Sequence, residues 1–112
     1  MSALYSLEEL ELMSDGDKEF IAKMKEIFEE EMLISLGKLD KALTEKDYET
    51  IRLTSHTMKP SIDNLAITSI RDEIRLVESL AAQKADVGIL TPLVQKVDGV
   101  IREVIGDMKT TA

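Results

Sequence analysis

Apolar residues recur at spacings of three and four along nearly the whole chain, and this period restricts the fold more than any other feature. One example is the segment that contains Tyr48, Ile51, Met58, Ile62 and Leu65. Such spacing is typical of an amphipathic α-helix, and no stretch alternates strictly enough to indicate a strand. Only two prolines and five glycines interrupt the 112 residues. We therefore predict an all-α protein.

Turn and cap signals divide this pattern into one short helix and four longer ones. The short helix is expected over Leu7–Met13, with Ser6 as its N-cap and Glu9 completing a capping box. A long helix follows the turn at residues 14–17. It is expected to end near residue 46, with a hitch at Gly37.

Three further helices follow the long one. Asp47 is the expected N-cap of a helix that ends near Asn64, and Ser69 begins the next. The last helix follows residues 85–88 and has Pro92 in its first turn, where a missing N–H costs little. The expected inner positions of these last two helices are Ile70, Ile74, Val77 and Ala81, then Leu93, Val97, Val100 or Ile101, and Val104.

The helix lengths and loops favour one particular architecture. Four helices of about 16 to 25 residues with short connections predict an antiparallel four-helix bundle with a short extra N-terminal helix. Residues 1–112 are treated as a single domain, because no linker, repeat or low-complexity tract interrupts them. A coiled coil is the alternative, but turn signals break the apolar stripes too often for it.

Charge and composition exclude several classes of partner. The chain has 22 acidic and 14 basic residues and a net charge of −8, which disfavours binding to nucleic acid or to an anionic membrane. The absence of cysteine excludes disulfides and thiolate zinc sites. No membrane span or signal peptide is apparent. We expect a monomeric, cytoplasmic protein, and the N-terminal Met1 favours a free-standing one.

His56 is the only histidine, and it lies in the run Ser55–Ser61. The apolar stripe of its helix centres roughly 140° away, so the imidazole is expected to point to solvent. Arg52 lies one turn before it, Lys59 three residues after it, and Asp63 about two turns on. An exposed imidazole between two cations can act as a nucleophile, since nearby cations disfavour its protonated form.

Pro60 is a second unusual feature of the same helix. A proline inside a helix removes the hydrogen bond to the carbonyl four residues back, here that of His56, at a cost of ~3 kcal/mol. Because Met58, Ile62 and Leu65 keep the helical register across it, we expect the helix to continue and to bend beside the imidazole. The alternative is that Pro60 ends the helix early. A residue that contradicts the local structural preference, as a proline inside a helix does, is most often found at a functional site.

The run from His56 to Ala66 resembles the signature of histidine-containing phosphotransfer (HPt) domains, the four-helix-bundle carriers of two-component phosphorelays. The matching positions are His56, Met58, Lys59, Ser61 and Asn64-Leu65. The long acidic helix and the Val77-Glu78 segment are also similar to the family's layout, so the resemblance covers the chain from about Asp15. Pro60 and Ala66 depart from it, since glycine is usual at both positions.

This resemblance implies a phosphocarrier rather than an enzyme. His56 would be phosphorylated, on Nε2, and Lys59 would stabilise the phosphoryl oxygens. The partners would be response-regulator receiver domains or a hybrid sensor histidine kinase. Their expected contact residues are Arg52, Leu53, Thr57, Pro60 and Asp63. The chain shows no nucleotide-binding loop and no carboxylate cluster for Mg²⁺. We therefore expect no cofactor or metal here and Mg²⁺ on the receiver partner.

Several alternatives remain open at this point. Leu53 lies far from the apolar stripe, and it is either exposed for docking or buried against another helix. A non-catalytic adaptor bundle that has kept the signature without phosphorylation is the main alternative function. A metal-binding bundle is more distant, because one histidine without a Glu-x-x-His repeat does not build the usual di-metal site.

Overall fold

The computed structural model describes residues 4–110. Within this range the chain forms five α-helices and one 3₁₀ turn and contains no β-strand. The helices are α1 (Glu8–Ser14), α2 (Lys18–Glu45), α3 (Tyr48–Asn64), α4 (Arg71–Ala82) and α5 (Val87–Thr110), and the 3₁₀ turn is Thr68–Ile70. The prediction of an all-α protein is confirmed.

Helix α2 spans the length of the molecule. Its 28 residues extend about 42 Å at 1.5 Å per residue, close to the 43 Å long axis. The Asp17 carboxylate caps its first turn, and Lys46 ends it in the left-handed conformation. The hitch predicted at Gly37 is wrong, because the helix is continuous there. Burial of Leu36 and Leu39 on either side outweighs the roughly 1 kcal/mol that a helical glycine costs.

Helix α3 begins where the sequence predicted and continues through its proline. The Asp47 carboxylate accepts a hydrogen bond from the backbone N–H of Thr50 at 3.2 Å, which confirms Asp47 as the N-cap. The helix ends at Asn64, so the alternative that Pro60 ends it early is wrong. Ile62, two residues after the proline, is fully buried and holds the helix against the core.

Two predicted helix starts are displaced. Leu7 rather than Ser6 is the N-cap of α1, although the Ser6 hydroxyl still accepts from the N–H of Glu8 at 3.2 Å. Ser69 lies in the 3₁₀ turn and caps nothing, because α4 begins only after Ile70. Helix α4 has 12 residues and is shorter than predicted for the same reason.

The last helix begins earlier than predicted. Because α5 begins at Val87, Pro92 is its sixth residue and lies in the second turn rather than the first. Of its predicted inner positions, Val97, Ile101 and Val104 are buried, while Leu93 is only partly buried and its neighbour Val94 is buried instead.

The core lies between the four longer helices. Helix α3 packs against α2 and α4, and α5 packs against α4 and α2. The inner face predicted for the fourth helix is confirmed, since all four of its residues are buried: Ile70, Ile74, Val77 and Ala81. No helix among residues 4–110 is long and apolar enough to cross a membrane.

Candidate functional site

His56 lies on the solvent side of α3, as its position in the helical period predicts. Its side chain is 63% exposed, whereas Ile51, Met58 and Ile62 on the opposite stripe are fully buried. The chain folds this way locally because burying that stripe leaves the polar face of α3 in water.

A carboxylate from the neighbouring helix holds the imidazole. The Oε2 atom of Glu78, on α4, lies 2.8 Å from His56 Nδ1. Its Oε1 atom lies 2.6 Å from Lys59 Nζ. The Glu78 side chain is 20% exposed, so it is shielded by the two helices it joins. We refer to His56, Lys59 and Glu78 as the His56 cluster.

The charge of Glu78 fixes which imidazole nitrogen is available. The hydrogen bond from Lys59 holds the pKa of the Glu78 carboxyl below its usual value, and His56 acts in the same direction, while partial burial opposes both. The carboxylate is therefore ionised at neutral pH and accepts a hydrogen bond from Nδ1–H. A neutral imidazole with its proton on Nδ1 carries its lone pair on Nε2. Nε2 makes no hydrogen bond within residues 4–110.

The two cations expected on either side of the imidazole are both paired with carboxylates. Arg52 donates to both carboxylate oxygens of Glu49, at 3.0 and 2.9 Å, because residues three apart on a helix are neighbours. Lys59 is paired with Glu78. The charged group in direct contact with His56 is thus a carboxylate rather than a cation.

Asp63 joins α3 to α4 rather than standing free on the surface. Arg75 contacts both of its oxygens, at 3.2 and 2.6 Å, and Arg71 lies 3.4 Å away. These two guanidinium groups, Arg75 first, lower the pKa of the Asp63 carboxyl.

The remaining predicted contact residues share an exposed face with the imidazole. Leu53 is 49% exposed, so the alternative that it is buried against another helix is wrong. Thr57 and Pro60 are exposed as well. Spacings of three and four residues place Leu53, His56, Thr57 and Pro60 along one side of α3. The Thr57 hydroxyl donates to the carbonyl of Leu53 at 2.9 Å.

Glu78 is the member of the cluster to which the sequence pattern assigned no role. It comes from a different helix, 22 residues after His56, so no local spacing connects the two side chains. The available signal was its place beside Val77, on the inner stripe of α4. A residue next to that stripe lies at the edge of the interface, where a carboxylate can reach the neighbouring helix.

A groove lies beside the exposed face of α3. It has a volume of about 430 Å³ and is formed by the end of α2 and the start of α3. We refer to it as the lysine groove; it is lined by Lys38, Lys41, Ala42, Glu45, Asp47, Thr50, Leu53 and Thr54. A larger cavity of about 570 Å³ lies between the first half of α2 and the end of α5 and includes no member of the His56 cluster.

Comparison of the chain with protein-family models, with curated proteins and with solved structures finds no match. Within residues 4–110, no group of three or more histidine and carboxylate side chains is arranged to hold a metal ion. The class of protein must therefore be inferred from the His56 cluster and its surroundings.

Proposed function

We propose that this protein is a phosphocarrier of the HPt type, in which His56 accepts a phosphoryl group from a receiver-domain aspartate and donates it to another. The observation that carries the proposal is the His56 cluster. It combines an exposed histidine with a carboxylate on Nδ1 and a lysine one turn away. The resemblance of the run His56–Ala66 to the HPt signature supports the same function. Receiver domains and hybrid sensor kinases are the proposed partners, in the cytoplasm.

The architecture proposed with this function is an antiparallel four-helix bundle of α2 to α5, with α1 as an extra helix. The helix contacts run in a closed order, from α2 to α3 to α4 to α5 and back to α2. Short connections between consecutive helices favour antiparallel neighbours. Both observations support a bundle that presents α3 with one face free.

The residues of the His56 cluster and the receiver aspartate account for every bond, electron pair and proton in the phosphoryl transfer. The Nε2 lone pair attacks the phosphorus of an aspartyl phosphate, so the P–N bond forms as the P–O bond to the aspartate breaks. The aspartate leaves as a carboxylate with the bonding electron pair. The proton stays on Nδ1, and the positive charge that develops on the ring is stabilised by the Glu78 carboxylate at 2.8 Å. Donation to the next receiver reverses these steps.

Lys59 also has a proposed role in this transfer step. Its ammonium contacts Glu78 at 2.6 Å, and a lysine side chain is long enough to turn towards oxygens bound to the imidazole. Positive charge near the equatorial oxygens stabilises the transition state of phosphoryl transfer. The receiver supplies Mg²⁺ and the aspartate.

The central test is the replacement of His56 by glutamine. Wild-type protein incubated with a receiver domain carrying labelled aspartyl phosphate should acquire the label, and His56→Gln should acquire none. The label should be lost in acid and kept in base, since a phosphoramidate is acid-labile. The free energy of unfolding of the variant should lie within about 0.5 kcal/mol of the wild-type value, because the side chain is exposed.

Two outcomes would count against the proposal. A His56→Gln protein that still accepts label would place the phosphoryl group elsewhere. A wild-type protein that accepts label from no receiver of its source organism would favour the adaptor alternative.

A further inference from the structure

Four side chains of alternating charge lie together where α3 meets α4, beside the imidazole. We refer to them as the charge ring: Lys59, Glu78, Arg75 and Asp63. Lys59 of α3 contacts Glu78 of α4 at 2.6 Å. Arg75 of α4 contacts Asp63 of α3, also at 2.6 Å. The observed ion pairs of the ring therefore both run from one helix to the other.

The same four charges have a second way to pair. Asp63 follows Lys59 by four residues on α3. Glu78 follows Arg75 by three residues on α4. Residues at these spacings are neighbours on a helix surface, so each ion pair would then form within one helix. The pairing between helices leaves Arg75 on Asp63 and Glu78 free for its partners on α3.

The alternative pairing would take the carboxylate away from the imidazole. A guanidinium donates to both oxygens of a carboxylate at once, because its fork matches the carboxylate geometry. Such a charge-assisted pair is stronger than a hydrogen bond from a neutral imidazole N–H. Arg75 on Glu78 would therefore displace His56 Nδ1 from the Oε2 atom that it contacts at 2.8 Å.

Asp63 holds the Arg75 guanidinium on the side away from Glu78. Its two oxygens accept from Arg75 at 3.2 and 2.6 Å. Arg75 Nη1 also donates to the carbonyl of Arg71 at 3.1 Å, one turn towards the start of α4, whereas Glu78 lies towards its end. The pKa of the guanidinium is raised, chiefly by the hydrogen bond with Asp63 and also by the charge of Glu78.

The hold on Arg75 matters most during the transfer itself. When Lys59 turns towards the phosphoryl oxygens, Glu78 Oε1 loses the partner that it has in the structure. Arg75 is then the nearest cation on the same helix, about 4.5 Å from Glu78 along the axis at 1.5 Å per residue. Arg71, the other partner of Asp63, is about 10 Å away by the same measure.

We infer that Asp63 is a positioning residue for the transfer: by holding Arg75, it keeps the Glu78 carboxylate available to Nδ1–H of His56. The inference rests on the proposed function, because it concerns the same histidine. Asp63 acts through Arg75 and Glu78 and does not touch the phosphoryl group. This role is separate from the partner contact expected for Asp63 from the sequence.

The test is a double-mutant cycle in the full chain. Asp63→Ala releases Arg75, Arg75→Gln removes the competing guanidinium, and the double variant Asp63→Ala/Arg75→Gln does both. All three variants break the same ion pair, so a purely structural role predicts similar effects in each. Glu73→Ala is the charge-matched control for Asp63→Ala, because it breaks the pair with Lys96 that joins α4 to α5.

Two readouts are needed. The rate of transfer from a receiver domain, phosphorylated on its aspartate with acetyl phosphate, is followed by rapid quench. The nitrogen chemical shifts of the His56 ring give the fraction of Nδ1–H tautomer. They are recorded about two pH units above the ordinary histidine pKa of about 6.5, where the neutral ring is observed.

Asp63→Ala should slow transfer about two- to fivefold, the effect of one exposed ion pair, and should lower the fraction of Nδ1–H tautomer. Arg75→Gln, the double variant and Glu73→Ala should stay close to wild type in both readouts. Asp63→Glu, which keeps a carboxylate, should do so as well. If Asp63→Ala unfolds, Asp63→Asn removes the charge more mildly and should change both readouts in the same direction.

Equal rates and equal tautomer fractions in Asp63→Ala and the double variant, whether lowered or unchanged, would overturn the inference and leave the proposed function intact. A slower Asp63→Ala with the wild-type tautomer fraction would also overturn it, since the loss would then not act through Glu78. A wild-type protein that accepts no phosphoryl group would overturn the proposed function instead. The two failures are distinguishable, because the ring spectra need no receiver.

Discussion

Glu78 differs from an ordinary surface carboxylate in having two partners on the neighbouring helix. Glu73 provides a close comparison on the same helix α4. Its side chain is 21% exposed, and it contacts Lys96 at 2.6 Å, the same distance as Glu78 to Lys59. Lysine is the largest cause of a lowered pKa for both carboxyls. The difference is the imidazole, which only Glu78 contacts.

That comparison gives a matched prediction. Glu78→Gln should slow phosphoryl transfer about 10- to 100-fold, by analogy with the effect of removing a carboxylate that orients a metal-bound histidine. Glu73→Gln should leave the transfer rate unchanged, although it too removes an ion pair. The nitrogen chemical shifts of His56 should show less Nδ1–H tautomer in Glu78→Gln only. Equal rates in the two variants would reduce Glu78 to a structural residue.

Lys59 can be tested in the same paired way. Lys59→Ala should keep the fold and slow transfer or shorten the life of the phosphorylated protein. One electrostatic contact in the transition state is worth about 2–4 kcal/mol, or roughly a 30- to 900-fold change in rate. Lys96→Ala removes the corresponding lysine of the other pair and should change neither quantity. If both variants keep the wild-type half-life of the label, Lys59 has no part in the chemistry.

At the level of single residues, the sequence predicted the exposed histidine but not its electrostatic setting. The helical period fixes which face of α3 meets water, and this was enough to place His56 and Leu53. Ion pairs between helices depend on the rotation and height of two helices relative to each other. No spacing within α3 contains that information, so neither the pairing of His56 with Glu78 nor that of Asp63 with Arg75 could be predicted.

Among the helices, α3 combines a continuous helical register with a proline one turn after His56. Pro60 has no N–H, so the carbonyl of His56 lacks its usual helical donor. The apolar stripe holds α3 in place on both sides, with Met58 and Ile62 fully buried. Tertiary packing therefore outweighs the local cost of the proline.

Removal of this proline should stabilise the protein. Pro60→Ala restores an N–H for the His56 carbonyl and should raise the free energy of unfolding by about 1–3 kcal/mol, measured with urea. Pro92→Ala is the control, since Pro92 also lies inside a helix but far along the chain from the imidazole. Both variants should be stabilised, and only Pro60→Ala should change the rate of phosphoryl transfer. A destabilised Pro60→Ala would show that α3 needs the proline's geometry.

The helices themselves were predictable because a long amphipathic period indicates which face is buried. The ends of the helices were less predictable. Asp47 was predicted correctly because its carboxylate accepts a hydrogen bond from the N–H three residues later, which is a purely local contact. The start predicted at Ser69 was displaced by a 3₁₀ turn that buries Ile70. The predictions at Gly37 and Pro92 were wrong because each residue is a local helix breaker whose effect the surrounding core outweighs.

In the whole molecule, ion pairs between helices oppose the repulsion expected of an acidic chain. Three carboxylates that join helices have a lowered pKa: Asp63, Glu73 and Glu78. A carboxyl whose pKa is lower in the folded state than in the unfolded state contributes stability above its unfolded pKa. That contribution is lost as pH falls through the folded value, because the unfolded state then binds more protons.

The free energy of unfolding should therefore fall on acidification below about pH 5, where unfolded Asp and Glu begin to bind protons. The triple variant Asp63→Asn/Glu73→Gln/Glu78→Gln should lose about 1–2 kcal/mol at pH 7, since partly exposed pairs contribute below about 1 kcal/mol each. Its loss relative to wild type should shrink towards zero as pH approaches 2. Urea unfolding at a series of pH values measures both curves.

The control for this prediction removes the same charge without breaking an ion pair. Glu30, Glu31 and Glu103 are exposed and make no ion pair with residues 4–110. Glu30→Gln/Glu31→Gln/Glu103→Gln should be at least as stable as wild type at pH 7, because it lowers the net negative charge. Its stability should fall on acidification as that of wild type does. If the ion-pair variant also followed the wild-type curve in parallel, the acid sensitivity would come from net charge alone, and the carboxylates that join α3 to α4 and α4 to α5 would not stabilise the fold.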